Sequence, residues 1–576
     1  MATPGLVQHS WWQSNENLET GNNFKYTLPN ATLSGNLLVV VLSYAYSASR
    51  TVTVTDSSST TWTSCGAATN DTVNGVTTQA FYRANAPSGI TDITVTFNAA
   101  LFGVQAAFSE WYNVATTSPI DGYHAANLVL TNSPNPSIAS GSFTTTTAGD
   151  LILHYGINTD SGPTFGIATN IAAATGYTLI EADLHYGGFV EYQVQSSAGT
   201  TNPSAAITVP SQVSYNSLTV AFKSATAGTA PGTGIRIVGI LHSRIDTSGT
   251  ANYSVQMPNS GNLLCLTTAY ADNQEKLNSI SDTADGAWTV VRPSTGIAQF
   301  AYIPAATVSQ TRKLTVNTTD LGSNNLQFLI YDIIGAAAAP YDTDAFNSGG
   351  AVSAGGTASA APSITPSTSN GLVIATCGFF TGPPSSMPSP SGGTMDSMYY
   401  TGYTDLSPAD SGDGYGHVYN STATAQSFSW VDSHATTGWA AVAVAFKAAS
   451  VGGATFTENL SISSSSAVSV ARRAGKILPV SSSSVVSIAR GAGKVLAVAA
   501  ASAVSVVLTK VKIVALSVLS PSALSVIRAV GKPLPIASSS IVAASLQVAK
   551  PLPVIASRFS SRLNLGMERM LRVSPF

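Results

Sequence analysis

The chain has 576 residues, of which 44% are apolar and only 9% charged, with 48 Gly and 28 Pro. At ~100–200 residues per domain it is too long for one core, and so few charges among many Gly, Ser, Thr, Ala and Val residues suit packed strands rather than charged helices. The net charge of −3 hides a split: residues 1–450 carry 11 Lys+Arg against 26 Asp+Glu, and residues 451–576 carry 14 against 2. No run reaches the ~18 apolar residues of a membrane helix; the nearest, Val495 to Leu508, contains Ser and runs into Lys510 and Lys512. Three distant cysteines, Cys65, Cys265 and Cys377, form neither a disulfide framework nor a zinc spacing and read as small buried hydrophobes.

From the N-terminus, Met1-Ala2-Thr3-Pro4-Gly5 lacks a basic segment leading into an apolar run, so no export signal is expected. Runs such as Leu37 to Leu42, Thr51 to Thr55, Ile93 to Phe97 and Leu218 to Phe222 are β-branched or alternating and are bounded by Gly, Pro, Asn and Asp, which predicts short antiparallel strands. The chain also repeats itself. Ser34-Gly35-Asn36-Leu37-Leu38 recurs as Ser260-Gly261-Asn262-Leu263-Leu264, and Asp56 before Trp62 recurs as Asp282 before Trp288. Pro119-Ile120-Asp121 matches Pro340-Tyr341-Asp342, and Ala221-Phe222-Lys223 matches Ala445-Phe446-Lys447. A constant order of matches means a duplication. Each copy divides again after its Pro-Ile-Asp or Pro-Tyr-Asp, which predicts β-sandwich lobes at 1–130, 131–225, 236–345 and 346–448, with a linker at 226–235.

Residues 449–576 follow a different rule. Units begin at Leu460, Leu478, Leu496, Leu516, Leu534 and Leu552, and Leu478, Val480, Val486 and Ile488 share one parity, a period-two strand signal. Pro479, Pro521, Pro535 and Pro553 argue against the helix that such a spacing also permits. A β-solenoid or an intertwined fibre is expected, and because one unit cannot bury its own apolar side, so is a homo-oligomer, with a trimer favoured. Stacking would align Arg472, Arg490 and Arg528, and likewise Lys476, Lys494 and Lys532. These rows are candidate contacts for an anionic partner; the competing reading is that spaced cations keep the segment soluble and its edges unpaired.

Candidate chemistry is sparse. His9, His124, His154, His185, His242, His417 and His434 are scattered without metal-ligand spacing and read mostly as surface or loop residues. No Gly-x-Ser-x-Gly elbow marks a nucleophile. Glu110, Glu181, Asp183 and Glu191 are candidates for a glycosidase pair, but the second copy sets Tyr331 against Glu110, which weakens an acid-base role. Asp405, Asp410 and Asp413, among Gly412, Gly414 and Gly416, form a candidate Ca²⁺ loop, with a solvated turn as the alternative and no other cofactor expected. The tail is nearly free of aromatic residues, so sequence-specific nucleic-acid binding is not expected.

The half-unit running from Gly35-Asn36-Leu37-Leu38-Val39 through Val54-Thr55-Asp56, Trp62 and Ile93 to Phe97 up to Pro119-Ile120-Asp121 resembles a β-sandwich module of bacterial surface proteins and phage structural proteins. The Ser-rich tail, punctuated by Arg and Gly-Lys, resembles repeats of phage tail and fibre proteins. This resemblance implies an all-β, non-enzymatic virion protein, a fibre, spike or decoration subunit, that contacts other virion proteins and host-surface glycan. A secreted adhesin or filament subunit is the alternative, and a carbohydrate-active enzyme the third reading.

Overall fold

The computed structural model describes residues 2–13, 20–102, 104–130, 136–159, 168–184, 187–209, 213–245, 252–269, 277–291, 298–318, 326–352, 362–379, 394–396, 398–400, 413–430 and 436–449, together with short strands between 468 and 547. Every regular element among them is a β-strand. Two compact units are present, Met1–Ser450 and Val451–Phe576.

The first unit is built on an eleven-stranded sheet to which both copies contribute. Its innermost strands are Gly5–Gln13 and Arg236–Ile245, the first strand of each copy. They pair in parallel, His9 opposite Gly239 and Trp11 opposite Leu241. Outward from this seam each copy adds its strands in the same order. Val104–Tyr112, Asn36–Ala45 and Val76–Ala86 lie on one side; Leu326–Ile334, Leu263–Ala269 and Ala298–Pro304 lie on the other. The expected tandem sandwiches are thus corrected: the two copies share one sheet instead of each closing its own. The reason is edge pairing, since the open backbone groups of Gly5–Gln13 are satisfied by the equivalent strand of the second copy.

Because equivalent strands run parallel at the seam with mirrored order on either side, the copies are related by a rotation about an axis along the strands, and their faces are exchanged. Leu38, Val40 and Leu42 pack in one core, and their neighbours Leu37, Val39 and Val41 in the other, as period-two alternation requires. In the second copy the parity is inverted: Leu263, the counterpart of Leu37, joins the core of Leu38, and Leu264 joins that of Leu37.

Each face is covered by a pair of smaller sheets, one built mainly from each copy. On the first lie the four-stranded sheet containing Thr20–Thr27, Asp92–Phe102 and Val52–Asp56, through Phe24, Val54, Ile93 and Val95, and the five-stranded sheet containing Gly371–Phe379 and Thr436–Ala448, through Leu372, Ile374, Val442 and Phe446. On the second lie the sheet of Asn252–Gln256, Lys313–Thr318 and Leu277–Asp282, through Val255, Ile280 and Val316, and the sheet of Leu151–Asn158 and Val213–Phe222, through Leu151, Leu153, Leu218 and Val220. The body is therefore three layers deep. Leu37 to Leu42, unbroken in the sequence, is apolar throughout because both of its faces are covered.

The second unit has parallel pairing. Val486–Gly491, Val504–Thr509, Leu524–Ala529 and Val542–Gln547 form successive rungs, with Val486 opposite Val504, Val504 opposite Leu524 and Leu524 opposite Val542. A second ladder sets Pro479–Ser482 against Ala497–Ala500, and Leu516–Val518 against Ile536–Ser538. Each strand thus lies on its counterpart in the next repeat. The register carries through the longer unit between Leu496 and Leu516, where Val506 still faces Val526.

Candidate functional site: buried carboxylates of the duplicated body

The motifs that recur in the sequence turn out to be hydrogen-bonding clamps. Asp56 accepts from Trp62 Nε1 at 2.9 Å and pairs with Arg83; Asp282 accepts from Trp288 Nε1 at 2.7 Å and pairs with Arg312 at 2.5 Å. The tryptophan of each copy thereby closes one end of its cover sheet with its only polar atom satisfied. Burial raises the Asp56 carboxyl, but the Arg83 guanidinium and the Ser58 and Trp62 donors outweigh it and hold Asp56 below the usual carboxylate range. Arg312 is fully buried and gives a second nitrogen to Asp285 at 2.7 Å.

A second clamp holds the turn before each Ser-Gly-Asn-Leu-Leu strand. Glu110 accepts from Leu33 N at 2.8 Å, Asn36 Nδ2 at 2.7 Å and Gln8 Nε2 at 2.6 Å. Asp332 accepts from Ser260 N and Gly261 N, both at 2.7 Å. Across the sheet Glu110 faces Leu38 and Asp332 faces Leu264, so the counterpart of Glu110 is Asp332 and the alignment with Tyr331 is corrected by one residue. Burial pushes both carboxyls upward, partly offset by these donors.

The third clamp joins the Pro-Ile-Asp and Ala-Phe-Lys motifs. Asp121 and Asp342 each sit at a β-bulge in the edge strands Ile120–Leu130 and Ala336–Val352, outside the regular ladder. Lys223 Nζ lies 3.9 Å from Asp121, and Lys447 Nζ lies 3.7 Å from Asp342. Thr146 N and Thr147 N donate to Asp121 Oδ2 at 2.5 and 3.1 Å, and Ser367 N donates to Asp342 at 2.6 Å.

Sequence spacing gave no sign of three buried histidine–carboxylate pairs. His9 meets Glu181 at 2.5 Å, His154 meets Glu191 at 2.6 Å, and His417 meets Asp396 at 2.8 Å. These histidines and His242 are buried, which corrects the surface-and-loop expectation for them. Burial lowers His9, but the charge and hydrogen bond of Glu181 more than reverse this and raise it; Glu181 itself is raised by burial. Ser217 Oγ lies 3.0 Å from His154 Nε2, so Ser217, His154 and Glu191 have the connectivity of a hydrolase triad. All three are fully buried in one sheet, and Glu191 also accepts from Ala174 N at 2.6 Å. Ser217, His154 and Glu191 stand on three neighbouring strands, and the trio forms an internal network linking them. Glu110, Glu181, Asp183 and Glu191, considered for sugar chemistry, are likewise buried.

Trp11 and Trp12 are fully buried, one on each face of the central sheet, and the three cysteines are buried and form no disulfide. Of the candidate Ca²⁺ loop, Asp405 and Asp410 lie outside the described residues, and Asp413 begins the strand Asp413–Asn420 opposite Gly378. Among the described residues no group of His, Cys, Asp or Glu is placed to hold a metal ion. Of the basic rows, Arg472, Lys476, Lys494 and Lys532 lie outside the described residues. Arg490 and Arg528 sit at one register position two rungs apart, with Leu508 between them. No helix is long and apolar enough to cross a membrane among the described residues.

No protein-family model and no curated protein matches the chain. Among solved structures, a Paenibacillus xanthan lyase aligns at 11% identity over 77% of this chain, with a TM-score of 0.17. The alignment spans only 51% of that lyase. A Sputnik virophage structure aligns at 7% identity over 58% of this chain and 87% of its own, with a TM-score of 0.13. The triple jelly roll of an archaeal virus aligns at 10% identity over 58% of this chain and 89% of its own, with a TM-score of 0.11.

Proposed function

We propose that this chain is a structural subunit of a bacteriophage particle, a fibre, spike or decoration protein that acts by assembly and attachment rather than by turnover. The observation that carries this reading is the parallel register of the tail, in which each strand lies on the same strand of the next repeat. An array of this kind buries its apolar side only by stacking neighbours and ends in strands whose outer backbone groups await a partner. In this reading the tail is a β-solenoid that brings copies together as a homo-oligomer, a trimer in the simplest case, with other particle proteins at its base. The double-faced body is presented outward, where its loops meet host-surface glycan. The use of the body's histidines and carboxylates as internal clamps supports a building role.

Light scattering on the full chain and on residues 1–450 tests the assembly role: the full chain is expected as an oligomer and the truncated chain as a folded monomer. An unchanged mass ratio on truncation removes the tail from assembly. Proteomics of purified particles tests the location, and a protein found only free in the medium overturns the particle reading.

A further inference from the structure

The third clamp is not the same in the two copies. In the first, a further carboxyl, Asp150, is fully buried beside Asp121 and hydrogen-bonded to it. Asp150 Oδ1 accepts from Thr147 Oγ1 at 2.5 Å, and the same hydroxyl lies 3.3 Å from Asp121 Oδ2, so the two acids stand side by side. In the second copy Leu372 matches Leu151, since each pairs with the Phe of its Ala-Phe-Lys motif, and the place of Asp150 falls to Gly371.

We propose that Lys223 and Asp121 react to form an intramolecular amide bond, with Asp150 as the proton-transferring group, and that the Lys447–Asp342 pair remains an ion pair. The parts needed are all present. The nucleophilic Nζ is 3.9 Å from Asp121 Oδ1, and the Lys223 side chain is one-third exposed, with room to close that gap. Asp121 Oδ2 faces two backbone N–H groups, Thr146 and Thr147, the arrangement that stabilises a developing oxyanion. Burial and the neighbouring Asp121 push Asp150 up to about 6, where it can both give and take a proton near neutral pH, while the Thr146 and Thr147 donors draw Asp121 down to about 2 against its own burial.

The step balances without an oxidant or reductant. The Lys223 ammonium gives one proton to the carboxyl pair, so that both acids are protonated. The Nζ lone pair attacks Asp121 Cγ, forming the C–N bond and placing negative charge on Oδ2. Asp150 protonates the Oδ1 hydroxyl, which leaves as water with its bonding electrons, and takes one proton from the nitrogen in return. One amide and one water result, and Asp150 ends protonated as it began. Held together by the fold, amine and carboxyl have an effective concentration far above that of water, about 10⁵ M or more in well-oriented pairs, which favours condensation. The product ties the start of the edge strand Ile120–Leu130 to the end of Val213–Phe222, closing its sheet against unzipping.

Intact-mass spectrometry of the full chain, followed by peptide mapping, tests this. The expected mass is one water below that of the sequence, with Asp121 and Lys223 recovered in one branched peptide and Asp342 and Lys447 in separate linear ones. Lys223→Arg and Asp150→Ala are expected to restore the full mass while circular dichroism remains that of the folded chain. Asp121 precedes Gly122, so a succinimide would lose the same mass: a deficit that persists in Lys223→Arg or is reversed by hydroxylamine overturns the proposal, as does a full mass in the unmodified chain.

Discussion

Glu110 and Asp332 stand at the same register position in the two copies, Glu110 across from Leu38 and Asp332 across from Leu264, and each accepts backbone N–H groups from the turn that precedes its Leu-Leu strand. The side chains differ by a methylene, and the turns differ to match. Replacing Asp332 with Asn sets an amide N–H₂ against the N–H of Ser260 or Gly261 and is expected to cost about 1–3 kcal/mol. Glu110→Gln faces the same conflict with Gln8 or Asn36. Chemical denaturation of the two variants checks this, and losses within error of zero would remove the clamp role.

The same turn explains a glycine. A Cβ on Gly261 would lie 2.2 Å from Ile333 O and 2.3 Å from Asp332 Oδ1, where neither backbone nor carboxylate can withdraw. Gly261→Ala is expected to destabilise by more than Asp332→Asn, read as the greater fall in melting temperature.

Asp56 and Asp282 do the same work on different terms. Arg312 is completely buried, whereas the Arg83 side chain keeps 13% of its surface exposed. Asp282→Asn strips charge from a guanidinium that water cannot reach and is expected to cost on the order of 3 kcal/mol. Asp56→Asn is expected to cost less, because Arg83 can turn to solvent. Equal losses in parallel melts would contradict this account.

Asp56 also predicts a pH dependence. Its folded-state pKa lies below the 3.8 of the free side chain, so its contribution is present above pH 3.8 and is lost as pH falls through the folded value. The stability gap between the unmodified chain and Asp56→Asn is therefore expected to be constant from pH 7 to about 5 and to close in acid. A gap that widens below pH 3.8 would reverse the sign.

Residues 1–450 form a compact unit by themselves. A chain ending at Ser450 is expected to melt cooperatively at the temperature of the body in the full chain, checked by calorimetry. A shift of more than a few degrees, roughly 1 kcal/mol or more of stability, would mean that the tail contributes to the fold of the body.

The sequence by itself determined what depends on local pattern: an all-β chain, a duplication, and a tail whose period recurs as strand-on-strand register. It also singled out Asp56, Trp62, Asp121 and Lys223, because duplicated spacing preserves groups that must meet in each copy. Tertiary structure alone decided the layer order. Leu37 to Leu42 reads equally well as the core of a two-layer sandwich or as the buried middle of three layers, and only the parallel seam between Gly5–Gln13 and Arg236–Ile245 selects the second. The seam also exchanges the faces of the copies, so Leu37 and Leu263, identical in sequence context, end in different cores. The pairs His154–Glu191 and Asp121–Asp150 were invisible for a related reason: strand pairing brings together residues far apart in the chain, and no local spacing records which strand becomes the neighbour of which.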